Sequence, residues 1–212
     1  MTLTGDFDEA FVAAEEEDHF LPFVGGEAAR IELCAVAAKR CLGVAASAAL
    51  DPWDAAERAD IEVRFPEEIS GLDDVTRACL TQNSTAWSGG AVSTDGSWLV
   101  IMNPLHEPVR QRATLAEELT HIIMGHPSST LDPTTGTRTY HDECEQEAYA
   151  VGGAMLLPYS HLFWRVKRGM QRASIAQNYT VSERFVNYRI NRCGLGRMHK
   201  KTTARSAGTG LD

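Results

Sequence analysis

The sequence predicts an α+β domain, mostly helical, with a small mixed or antiparallel sheet and a C-terminal helical segment. Three observations predict it. Apolar residues recur at three- and four-residue steps over several stretches, the period of a helix with one buried face. One stretch alternates apolar and polar residues, and an Asp-Gly pair separates two further apolar runs, the patterns of a half-buried strand and a hairpin. The 212 residues are 43% apolar, enough for a core, and no window approaches the roughly 18 to 20 apolar residues of a membrane span.

Taken in order, residues 1–26 are acidic (Asp6, Asp8, Glu9, Glu15, Glu16, Glu17, Asp18) and close on Gly25-Gly26. They are expected as a flexible arm with a short helix around Phe11 to Phe20. An acidic start differs from the basic start of a signal peptide, so a cytoplasmic location is expected. An Ala-rich helix is expected from Glu27 to Ala49, burying Ile31, Cys34, Ala35, Ala38, Cys41, Leu42 and Ala45. Asp51 as N-cap and Pro52 in the first turn start a helix that ends near Ala59. Ile61, Val63 and Phe65 alternate with Glu62 and Arg64, which predicts a strand. Residues 66–84 read as a connector with a short helix near Leu72 to Leu80. Residues 87–93 and 97–102 are strand-like around Thr94-Asp95-Gly96.

Residues 127–140 are rich in Pro, Ser, Thr and Gly and predict a loop. A second long helix follows from His141 and closes at Pro158. Its Glu145, Ala148 and Gly152 share a face, and its small residues allow close packing. Two more helices are expected, one from Ser160 to Gln177 and one capped by Ser182 that ends before Gly194. Residues 196–212 have few apolar groups and predict a disordered basic tail.

The net charge of −9 hides an asymmetry. Residues 1–158 hold nine Lys/Arg against 27 Asp/Glu, whereas residues 159–212 hold eleven against two. Such a split has two readings: an anionic partner for the basic part, or attraction between the two parts within one fold. The five cysteines are scattered and include no Cys-x-x-Cys pair, so neither a disulfide framework nor a thiolate zinc site is indicated.

The chain is centred on residues 114–126, TLAEELTHIIMGH. Leu115, Leu119, Ile122 and Ile123 give the buried stripe of a helix, with Pro108 upstream and Gly125 at its C-terminal end. Glu117 and His121 are four apart and point to one side. A zinc hydrolase has His-Glu-x-x-His at such a place, with two ligands at i and i+4 and a general-base Glu beside the first. Here Glu117 stands where the first His belongs, and Glu118 is where the base belongs.

Four blocks carry a resemblance to a known family. DPWDAAERADIEVRF, RQRATLAEELTHIIMGH, ECEQEAYAVGGAMLLP and IAQNYTVSERFVNYRINRCGL follow the order of features in the ImmA/IrrE family of bacterial metallopeptidases. The resemblance implies a zincin-like, gluzincin-type metallopeptidase domain over residues 27–158, with residues 159–195 packed on it as a helical segment. It implies Glu118 as general base, His121 as a metal ligand, and Glu145 as the third ligand. Glu117 replaces the first His ligand, Ala113 the usual Phe, and Leu157 the usual Met. The implied cofactor is Zn²⁺, with Mn²⁺ as alternative because two carboxylates harden the ligand set. His141 and His126 are substitutes for the missing imidazole; His141 lies four residues before Glu145. The implied substrate is a helix-turn-helix repressor in stress or mobile-element regulation. The alternative is an inactive family member that binds a regulator protein or, through the basic C-terminal segment, nucleic acid. No membrane partner is expected.

Overall fold

The structure, a computed structural model, describes residues 3–17, 19–22, 24–82, 87–127 and 141–208. The elements run α1 (Leu3–Glu16), α2 (Gly26–Cys41), α3 (Pro52–Arg58), β1 (Ile61–Arg64), α4 (Asp74–Gln82), β2 (Gly89–Thr94) and β3 (Ser97–Met102). They continue with α5 (Pro108–Met124), α6 (Asp142–Leu156), α7 (Tyr159–Lys167), α8 (Arg172–Tyr179), α9 (Glu183–Arg192) and α10 (Gly196–Gly208). A single 3-10 turn, Pro66–Glu68, follows β1.

The sheet is small and mixed. Its order is β1-β3-β2, with β1 parallel and β2 antiparallel to β3. The hairpin turns at Asp95 and Gly96, both at positive φ, as an Asp-Gly turn requires. Val100 and Met102 of β3 are fully buried against the helices. β2 lies at the sheet edge and packs beside α5.

The core sits between α5 and α6, with α2 laid across them. Leu115, Leu119, Ile122 and Ile123 of α5 meet Val151, Ala154 and Met155 of α6 and Ile31, Ala35 and Ala38 of α2 in one buried cluster. The Asp51 N-cap of α3 accepts from the Trp53 amide at 3.1 Å, which satisfies a donor that the helix start leaves open.

Three boundaries differ from the sequence-based expectation. α2 stops at Cys41, not Ala49, and Ala45 is exposed, because Gly43 turns left-handed. Lys39 then ties the following segment down by donating to the carbonyls of Ala46 and Ala48. The helix expected over 160–177 is two helices, broken at the left-handed Gly169, where the Thr202 backbone of α10 packs close. The stretch expected as a disordered tail is helical through residue 208. Its Met198 packs against the core and the buried His199 ring bonds the Met170 carbonyl at 3.1 Å. A handful of well-placed contacts there outweighs a polar composition. The acidic arm likewise contains α1, anchored by buried Phe7 and Ala14 on α2 and α5. The loop expected over 127–140 falls, apart from Pro127, outside the described residues.

Among the described residues no helix is long and apolar enough to cross a membrane, and all five cysteines are free thiols.

Candidate metal centre

α5 is held at its N-terminal end by two arginines. Arg112 donates to the Asp51 carboxylate at 2.6 Å and to the Leu50 carbonyl at 3.2 Å. Arg110 donates to Ser88 Oγ at 3.0 Å. The helix is therefore fixed against both α3 and the sheet. Its apolar stripe faces the core, which leaves Glu117, Glu118 and His121 half-buried on another side.

α6 reaches α5 because Gly152 has no side chain. A Cβ there would stand 2.9 Å from the Ala116 carbonyl oxygen and 3.1 Å from the Glu117 nitrogen. The two backbones touch at Ala116 and Glu117. Ala148, one turn earlier, is fully buried in the same seam. Glu145 is one further turn away on that face, so it is delivered over His121.

Glu117, His121 and Glu145 each offer one ligand atom, and all three atoms lie within 4.8 Å of one another. They are the sole such group of three or more among the described residues. His121 Nε2 lies 3.7 Å from Glu145 Oε2. Burial, with the charges of Glu118 and Glu145, pushes the Glu117 carboxyl up to about 8. Burial also lowers the basicity of His121, and His126 adds to that while Glu145 opposes it. Glu117 thus lies among like charges, with the His121 imidazole beside it.

A donor set of one imidazole and two carboxylates suits a divalent ion. A tetrahedral ion with bonds of about 2.1 Å would place its donors roughly 3.4 Å apart. The partly exposed Glu145 carboxylate can turn to close the difference. The residues present fit a metal.

The two substitute histidines lie elsewhere. His141 is exposed at the N-cap of α6 and does not join the group. His126 does not point into the gap. Its Nδ1 lies 3.0 Å from Nδ1 of His121, behind the ring. Sequence reasoning missed Glu147 and Arg30, which stand behind His126 and join through a 2.6 Å ion pair. No spacing rule links three residues on α2, α6 and the turn after α5, so the sequence carries no signal for them.

A long helix bearing Glu-Glu-x-x-His, a second helix that brings a Glu from behind it, and a three-stranded sheet with an edge strand alongside define a zincin-like metallopeptidase-type domain. The family model described as the IrrE N-terminal-like domain of the M78 peptidases matches residues 56–191, and the chain belongs to that family. Its members are metal-dependent peptidases by type, which implies a protein substrate. No curated protein matches the chain.

Proposed function

We propose that the protein is a metal-dependent endopeptidase that acts on a helix-turn-helix transcriptional repressor. The observation that carries this reading is the convergence of Glu117, His121 and Glu145 beside Glu118. Glu117, His121 and Glu145 would hold the metal, Zn²⁺ or, given two hard oxygen donors, Mn²⁺. When bound, the ion supplies Lewis acidity that makes a water acidic and polarises a peptide carbonyl. Glu118, on the same helix face region and half-buried, accepts the proton of the attacking water and delivers it to the departing amine nitrogen. β2, the edge strand among the described residues and next to α5, offers main-chain groups on which an extended peptide can pair. The repressor as substrate follows from the family resemblance.

The test is metal content by elemental analysis of the purified protein, with Glu118→Gln, His121→Ala and Glu145→Ala beside it. The expected result is stoichiometric metal in the parent and in Glu118→Gln only. Absence of metal throughout removes the peptidase reading.

A second reading has one observation in its favour. Arg197, Lys200, Lys201 and Arg205 are exposed along α10, and exposed Lys167 and Arg168 lie at the end of α7 against which it packs. A protein that binds nucleic acid through this surface, cleaving nothing, would show affinity that falls steeply with salt.

A further inference from the structure

The turn that ends α5 does more than stop a helix. Gly125 is left-handed at φ 65°; its amide donates to Ile122 and the His126 amide donates to the His121 carbonyl at 3.0 Å. This paired closure folds the residue after the glycine back onto the residue five positions before it. Here those two residues are His126 and His121. Their rings meet edge to face, with centroids 4.9 Å apart, and Nδ1 faces Nδ1 at 3.0 Å.

Two nitrogens at that distance share one proton, and the surroundings choose its owner. If His126 donated, its own Nε2 would present a lone pair to the Glu147 carboxylate, whose Oε2 lies 3.3 Å away. The alignment there is short of a full hydrogen bond, yet a carboxylate oxygen 3.3 Å away still favours an N–H over a lone pair on that nitrogen by simple electrostatics. Glu147 is in turn paired with the Arg30 guanidinium at 2.6 Å. The proton of His126 therefore belongs on Nε2, its Nδ1 accepts, and His121 donates from Nδ1. That arrangement leaves the lone pair of His121 on Nε2, the nitrogen that faces Glu145.

We infer that His126 is a positioning residue: backed by Glu147 and Arg30, it accepts the Nδ1 proton of His121 and so presents Nε2 as the metal-ligating atom. The inference rests on the metal reading of Glu117, His121 and Glu145. A ligating histidine usually donates its second ring N–H to a carboxylate, carbonyl or water. In this chain a second imidazole takes that place, and the carboxylate stands one link further back. The side chain of His126 is 7% exposed, so water does not compete for the bond. The relay joins α5 to α6 and α2, the three helices around the site.

The experiment uses the full chain at one fixed pH. Long-range ¹H–¹⁵N correlation spectra of the metal-free protein report which ring nitrogen of His121 carries hydrogen, and titration with Zn²⁺ reports affinity. Two variants are compared: His126→Phe removes the acceptor, and His126→Asn keeps an amide oxygen near the place of Nδ1. The expected result is hydrogen on Nδ1 of His121 in the parent, a mixture of tautomers in His126→Phe, and Zn²⁺ affinity lowered about 10- to 100-fold there, with most of it recovered in His126→Asn. Hydrogen on Nε2 of His121 in the parent overturns the inference. So does a His126→Phe protein with the parent's tautomer and affinity. A parent that takes up no Zn²⁺ overturns the metal reading itself, and the positioning role falls with it.

Discussion

Glu32 on α2 and Glu117 on α5 are both carboxylates drawn out of water, and the chain treats them in opposite ways. Glu32 accepts from Arg189 Nη2 at 2.6 Å, from the Tyr159 amide at 3.2 Å and from the Cys193 thiol at 3.7 Å. Arg189 in turn donates to the Leu157 carbonyl. The charge is closed on itself. Glu117 instead meets Glu118 and Glu145, with one imidazole for relief, and burial raises its carboxyl to about 8. A structural charge is compensated from within the chain; a carboxyl that burial and like charges push up at a seam between helices marks a place for something from outside. The Glu32–Arg189 pair, with Glu27–Arg192 at the surface, also accounts for part of the charge asymmetry between the two ends of the sequence.

The largest effect that separates the two regions is catalytic. On the proposed roles, Glu118→Gln keeps the ligand set and removes the proton acceptor, so peptide cleavage should fall about 10²- to 10⁴-fold while metal content holds. Single-turnover assays on the proposed repressor substrate measure it. Equal loss from a substitution at Glu32, remote from the cluster, would erase the contrast.

Next in size is the closed pair. Arg189→Met leaves Glu32 buried without its partner, which should cost about 3–5 kcal/mol in urea unfolding. Metal content per folded molecule should not change. A double variant that also carries Glu32→Leu should recover much of the loss, since well-packed apolar replacements of a buried pair are often neutral.

Much of this contrast was legible in the sequence, and the reasons are local. The i and i+4 spacing of Glu117 and His121, the Gly125 stop and the Asp51-Pro52 start are dictated by helix geometry and by which residues satisfy helix ends. Glu145 was legible only through family resemblance, because its meeting with α5 depends on a close approach at Gly152 that no single-helix pattern reports. Helix length was read less well. The apolar run after Cys41 looks helical by composition, yet Gly43 and the two carbonyls held by Lys39 set its course. The order in residues 196–208 depends on long-range contacts of Met198 and His199, which composition averages away.

The seam itself offers a smaller perturbation. Gly152→Ala places a methyl 2.9 Å from the Ala116 carbonyl oxygen, and the backbone must give. A cost of about 1–3 kcal/mol is expected, together with weaker metal binding as Glu145 moves from His121. Gly153→Ala, whose nearest neighbours are 3.4 Å away on the side chains of Arg189 and Phe185, lies on the closed side of α6. It should lose less stability and no metal affinity, as thermal unfolding and Zn²⁺ titration would report.

The smallest effect is the dependence on pH, and its sign follows from the open cluster. Glu117 has its carboxyl raised from 4.5 to about 8, so the metal-free folded protein binds a proton there that the unfolded chain has released. Its contribution to stability is full below the unfolded value and is lost as pH rises through about 8. Partial exposure reduces the size, and about 1–2 kcal/mol between pH 5 and 8 is expected. Glu117→Gln should flatten that slope in denaturant unfolding of the metal-free protein. A divalent ion should act in the same direction by taking the proton's place. Uptake of Zn²⁺ near pH 6.5 should then release the Glu117 proton, which calorimetry in buffers of differing ionisation enthalpy counts. A slope unchanged by Glu117→Gln would mean that Glu117 is not the group that holds the extra proton of the folded protein.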